Sequence, residues 1–226
     1  MAHPPHGRIC ILTGDVVGST ALDADARGRL HGVMRDAAGV IRAELGTDAP
    51  LDLGIFRGDG WQLLLLDPAR ALWAALYFRA HLRAEVEPES RDPVDTRIAI
   101  GVGKAESIPE RVLEGDGEAF RLSGRALEAM GDRRLVYAAP EGSTLNDWDV
   151  ACRLLDELAT GWTARQARAV RGALLGWTQK DIGELWTPSI SQPAVAGHLA
   201  AAHWDAIAFT LEAYRRRCTK RQAATT

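Results

Sequence analysis

The sequence predicts an α+β fold: a ferredoxin-like antiparallel sheet with helices over residues 1–160, followed by an all-α helix-turn-helix domain over residues 161–226. Three observations predict it. Strand-period and helix-period segments alternate as β-α-β-β-α-β, then loop-α-β-α, and the first six form the split ferredoxin-like arrangement. Beyond residue 160 no strand pattern recurs, and capped helix starts follow one another instead. Charge changes near the same boundary. Residues 1–150 hold 17 Lys and Arg against 24 Asp and Glu, a net of −7, whereas residues 151–226 hold 10 against 6, a net of +4. An acidic first part and a basic second part fit two modules, the second drawn to nucleic acid.

Each element has its own reason. Residues 8–14 are apolar and β-branched, as in a buried strand. Residues 22–45 place Leu22, Leu30, Val33, Met34, Ala37, Val40, Ile41 and Leu45 at helical spacing, and Gly46 stops the helix. Residues 52–57 and 61–66 read as a hairpin around Gly58-Asp59-Gly60. Pro68 suits the first turn of a helix running to about residue 86. Residues 86–93 are a polar turn, residues 96–102 a strand, and residues 104–116, with Glu106, Glu110, Glu114 and Asp116, a mobile loop. A helix over 118–130, a short strand over 135–138 and a helix over 145–158 complete the first part.

The chemistry concentrates in Ile9–Thr20 and Ile55–Leu66. If the first strand lies beside the hairpin, Asp15 and Asp59 end at one level of one sheet. Paired carboxylates bind a hard divalent cation such as Mg²⁺ or Mn²⁺. The small-residue stretch after Asp15, from Val16, Val17 and Gly18 to Ser19 and Thr20, would offer backbone N–H groups to phosphate. Together these make a site for a nucleoside triphosphate, with a two-metal arrangement at Asp15 and Asp59.

In the second part, Thr163 to Gln166 and Thr178 to Asp181 read as caps, and Ser191 caps a third helix. This is the helix-turn-helix pattern, with residues 192–202 as the reading helix. Gln192 and His198 would face bases, while Arg165 and Lys180, with Arg168, Arg171, Arg215–Arg217, Lys220 and Arg221, would anchor phosphates of duplex DNA. Trp162, Trp177, Trp186 and Trp204 are expected in the core of this part.

In motif order, Gly14-Asp15-Val-Val-Gly18-Ser19, then Arg-Gly-Asp59-Gly-Trp61-Gln62, then Gly117 to Phe120 and Arg125 to Glu128, then Trp162-Thr-Ala-Arg-Gln166, is similar to the SatD family over most of the chain. That family usually has Gly-Asp-Glu-Phe-Gln at the second motif, so Gly60 and Trp61 depart from it. The first part also resembles the palm-like catalytic domain of class III nucleotidyl cyclases. There Asp15 and Asp59 match the metal-binding aspartates, and Arg125 matches a transition-state arginine. Arg121 stands where that family has Asn and Ile55 where it has a purine-reading Lys; Glu114 is the nearest acidic counterpart of the second purine-reading position. The resemblance implies a catalytic role for Arg125 and a homodimer, and Arg121, one turn away on the same helix face, could clamp phosphates with it.

The odd, scattered Cys10, Cys152 and Cys218 fit reduced core thiols in a cytoplasmic protein. No apolar run of ~18 residues occurs, so no membrane span is expected, and Met1–Gly7 lacks the apolar core of a signal peptide. The sequence leads to a ligand-responsive transcriptional regulator, or alternatively to a metal-dependent nucleotidyl cyclase whose C-terminal helices serve dimerisation.

Overall fold

In the computed structural model the described residues are 7–56, 58–86, 93–104 and 107–223, with side chains described to residue 219. A mixed α+β N-terminal region is followed by an all-helical C-terminal region. The strands are β1 (Ile9–Val17), β2 (Gly54–Phe56), β3 (Gly60–Leu65), β4 (Asp95–Gly103) and β5 (Leu135–Ala138). The helices are α1 (Ala24–Leu45), α2 (Ala71–Glu85), α3 (Glu118–Ala129), α4 (Trp148–Thr160), α5 (Ala164–Leu174), α6 (Gln179–Gly183), α7 (Gln192–Ala201) and α8 (Trp204–Ala223). The sheet order is β2-β3-β1-β4-β5, antiparallel except for the parallel pair β4–β5.

The strands alternate, and each side chain's face follows from that period of two. Cys10 and Leu12 of β1, Leu63 and Leu65 of β3 and Ile98, Ile100 and Val102 of β4 face α1 and α2 in the main core. On the opposite face Ile9, Ile11 and Leu64 pack with Val112, Ala119 and Phe120. That face is therefore covered in part. Close approach makes this possible: a Cβ on Gly101 would lie 2.4 Å from the Ala119 carbonyl oxygen and 2.5 Å from the Ser123 amide nitrogen. Buried Thr13 and Ser123 hydroxyls hydrogen bond at 2.8 Å across the same contact.

Helix α2 carries apolar or buried residues on every side; 13 of its 15 residues are buried. The sheet covers one side and the C-terminal helices the other. The Trp73 indole donates to the Leu174 carbonyl at 2.9 Å, Arg171 pairs with Glu85 at 2.7 Å, and the Tyr214 hydroxyl donates to the Pro68 carbonyl at 2.7 Å. One apolar core consequently runs across residue 160, from Leu12 and Phe78 to Val170, Val195 and Ile207.

Charge is buried inside that core. Arg79 grips Asp95 in a bidentate pair, both contacts at 2.8 Å, and reaches Asp156 at 2.8 Å and the Thr160 hydroxyl at 2.7 Å. Arg83 donates to Asp95 at 2.6 Å, to the Thr160 carbonyl at 3.0 Å and to the Trp162 carbonyl at 3.1 Å. Burial alone would raise the Asp95 carboxyl, but the charge and hydrogen bond of Arg79, then Arg83 and the Thr96 amide, hold it below the usual carboxylate range.

The C-terminal helices begin as their caps dictate. Thr163 with Gln166 and Thr178 with Asp181 form complete capping boxes, and the Ser191 hydroxyl accepts from the Ala194 amide. Trp162 is buried, Trp186 and Trp204 are half-buried, and Trp177 is 44% exposed, so the last is not a core residue. Cys10, Cys152 and Cys218 are buried and not joined in disulfides. No helix among the described residues is long and apolar enough to cross a membrane.

Candidate functional site

The sheet brings the two aspartates together. Strand β1 runs three residues further than its apolar start suggests, so Asp15 lies inside it, opposite Gly60 of β3 and Arg97 of β4. Asp59 sits in the turn just before Gly60, whose Gly58 has φ +85°. His31 of α1 meets the Gly58 carbonyl and ties that turn to the helix.

Around these residues opens a cleft of about 690 Å³, lined by Asp15 to Thr20, Asp59, Arg97, Gly131, Asp132 and Arg134. Val16 and Val17 belong to β1 and pair with Thr96 and Asp95, which corrects their reading as loop residues. The turn proper is Gly18–Thr20, where Gly18 has φ +71°, a region glycine enters without steric cost.

Arg97 holds the centre of the cleft. Its Nε donates to Asp15 Oδ1 at 2.8 Å and its Nη2 to Asp15 Oδ2, a bidentate cross-strand pair. The hydrogen bonding of Arg97 to the Asp15 carboxylate raises the Arg97 pKa against a smaller opposing effect of burial, and the charges of Asp15 and Asp59 add to the rise. Ser19 donates its hydroxyl to Asp59 Oδ2 at 2.5 Å. Arg134 lines the same cleft and reaches inward to Asp95 at 3.2 Å.

A divalent cation at Asp15 and Asp59 would have to displace the donors these carboxylates already hold. Both oxygens of Asp15 face a guanidinium, one oxygen of Asp59 accepts from Ser19, and no group of three or more potential metal ligands occurs among the described residues. The lining holds three carboxylates, Asp15, Asp59 and Asp132, beside its arginines. Two half-exposed guanidiniums and a glycine turn with a following 3-10 segment present donors to one space.

The remaining residues read from the sequence lie elsewhere. Glu114 is exposed and pairs with Arg111 at 3.6 Å; Arg121 pairs with Asp116 at 2.8 Å; Arg125 donates to the carbonyl of Arg121 in its own helix at 3.2 Å. None of the three lines the cleft. Glu106 and the side chains of Lys220 and Arg221 lie outside the described residues, as do residues 87–92 of the polar turn.

At the C-terminal helices, Gln192, Arg165 and Lys180 are exposed on α7, α5 and α6. His198 is half-buried and stacks on Trp186, centroids 5.7 Å apart at 5°, with the Arg168 guanidinium 5.3 Å from the Trp186 ring. Burial, with the charge of Arg165, lowers the His198 pKa. His198 and Arg168 are therefore engaged in packing, and Arg171 is committed to Glu85, so these three are not open DNA contacts. Arg215 and Arg216 pair with Glu212.

Arg97 and Arg134 were not singled out from the sequence. An arginine in a strand or a turn has no spacing that marks it; only the register Asp15 to Arg97 reveals the first of them. A comparison of the chain with protein-family models returned no match, and a comparison with curated proteins returned none.

Proposed function

We propose that this protein is a ligand-responsive regulator: the cleft takes a nucleoside triphosphate or a closely related phosphate ester, and helices α5 to α7 read duplex DNA. The observation that carries this reading is that an arginine-lined cleft and an exposed capped helix, α7, stand on one continuous core. The strand order β2-β3-β1-β4 with antiparallel neighbours is that of the split β-α-β-β-α-β arrangement, which supports the palm-like reading of the first part. Three short capped helices, the third with Gln192, Pro193 and Ala194 exposed at its start, support the helix-turn-helix reading of the second.

A phosphate entering the cleft would exchange for Asp15 on the fork of Arg97, and Arg134 would take a second phosphate oxygen. The exposed Gly18–Thr20 turn supplies neutral donors beside them. Arg121 and Arg125 do not line the cleft of their own chain, so the cyclase alternative would need a partner subunit to supply them.

Thermal unfolding with each nucleoside triphosphate, with and without Mg²⁺ or Mn²⁺, tests the cleft. A ligand at a hundredfold its Kd adds about 2.7 kcal/mol, which raises the midpoint of a chain this size by about 5–10 °C. Arg97→Gln is expected to reduce the shift, whereas Asp15→Ala, which frees the Arg97 fork, is expected to preserve or enlarge it, and the absence of any shift in wild type sinks the cleft reading. For the second half, affinity of the full chain for selected duplex DNA is expected to fall steeply with salt, because phosphate contacts release counterions. Lys180→Ala should lower that slope by about one, and a sedimentation profile should show the dimer that two half-sites require.

A further inference from the structure

The buried ion network has one end in the cleft and the other at the root of the C-terminal helices. Among the described residues three guanidiniums, Arg79, Arg83 and Arg134, surround two carboxylates, Asp95 and Asp156, one positive charge in excess. Arg79 and Asp95 are fully buried, whereas the Arg134 side chain is 31% exposed and lines the cleft. Arg134 is also fixed from behind, its amide donating to Asp156 Oδ2 at 2.8 Å. At the far end Arg83 divides its donors between Asp95 and the carbonyls of Thr160 and Trp162, the residues that lead from α4 into α5.

Resting on the cleft reading above, we propose that a phosphate bound at Arg134 stiffens the α4–α5 junction through Asp95 and Arg83, so that cleft occupancy is transmitted to the C-terminal helices. Arg134 and Arg83 both donate to Asp95 Oδ2, at 3.2 and 2.6 Å, and repel each other across it. An anion in the cleft matches the surplus charge and draws Arg134 outward. Asp95 Oδ2 is then shared by Arg79 and Arg83 alone. Arg83, relieved of that repulsion, holds its place under the Thr160 and Trp162 carbonyls more firmly. Coupling of this kind is a differential interaction with two states of one element, here the loosely and firmly held junction.

The test uses the full chain and inorganic triphosphate as the probe, with calorimetry for binding and amide hydrogen exchange over residues 158–166 for the junction. Wild type is expected to bind, and exchange at these amides to slow by about fivefold or more at saturation. Arg134→Gln, still able to bind through Arg97 and the Gly18 turn, is expected to show no slowing at its own saturating concentration. Arg97→Gln should bind more weakly yet keep the slowing once saturated. Binding to wild type without slowing, or equal slowing in Arg134→Gln, overturns the relay alone. No binding to wild type overturns the cleft reading and the relay with it.

Discussion

At the scale of single residues, Trp61 and His81 show how far a side chain's role departs from its place in a motif. Trp61 occupies a motif position beside Asp59, yet it is fully buried, stacks on Phe78 with centroids 4.0 Å apart, and donates its indole N–H to Thr96 at 3.0 Å. It is a core residue, and Trp61→Ala should cost about 3–5 kcal/mol in chemical denaturation. His81, buried on α2, has its pKa pushed down from 6.5 to about 3, by burial first and by Arg171 second. The folded protein therefore refuses a proton that the unfolded chain accepts. Stability is retained above pH 6.5 and falls as pH drops from 6.5 towards 3, by at most about 1.4 kcal/mol per pH unit. His81→Phe should raise the unfolding midpoint at pH 5 relative to wild type by more than it does at pH 8; an equal change at both assigns the effect to packing.

Among elements, the close seating of α3 on β4 is the most sensitive contact. A methyl at Gly101 meets backbone atoms on α3 that cannot rotate away. Gly101→Ala should destabilise by about 1–3 kcal/mol, measurable by urea unfolding, and should shift Thr13 and Ser123 apart. Most elements were legible in the sequence because helix and strand periods are long and unbroken: α1 ends at Gly46 as its pattern implies, though it begins after an Asp23 cap, two residues past Leu22. The juxtaposition of Asp15 and Asp59 followed from the same periods, since the split arrangement makes β1 and β3 neighbours. Arg97 and Arg134 were not legible, because their partners are set by cross-strand register and by a turn after α3. The covering of the second sheet face was hidden for a similar reason. Val112 and Phe120 flank a stretch without period, and only their packing on Ile9 and Ile11 shows what they do. The parallel β4–β5 pair likewise joins segments whose patterns reveal no direction.

For the whole molecule, the sequence divides at residue 160 by charge and pattern, while the packing does not. Helix α2 carries Arg79, His81 and Arg83 among alanines and aromatics, a mixture that reads as a surface helix until its partners on both sides are in place. A chain ending at residue 160 would uncover the side of α2 that meets Trp162, Val170 and Leu174. Such a truncation is expected to bind a hydrophobic dye and to unfold without a cooperative transition, whereas a self-sufficient N-terminal unit would melt sharply.

Helix α2 also bears on how the protein is made. Its outer wall arrives last, because the Tyr214 hydroxyl that closes onto the Pro68 carbonyl is separated from it by 146 residues. A ribosome adding about 5–20 residues per second takes roughly 7–30 seconds to pass from Pro68 to Tyr214, and α2 waits that long for the last of its cover. Throughout that interval the nascent chain presents an uncovered greasy helix, the surface that holding chaperones clasp and proteases search for. Premature termination near residue 160, before α5 is made, leaves the side of α2 that meets Val170 and Leu174 open, so such products should be cleared quickly while the finished chain persists.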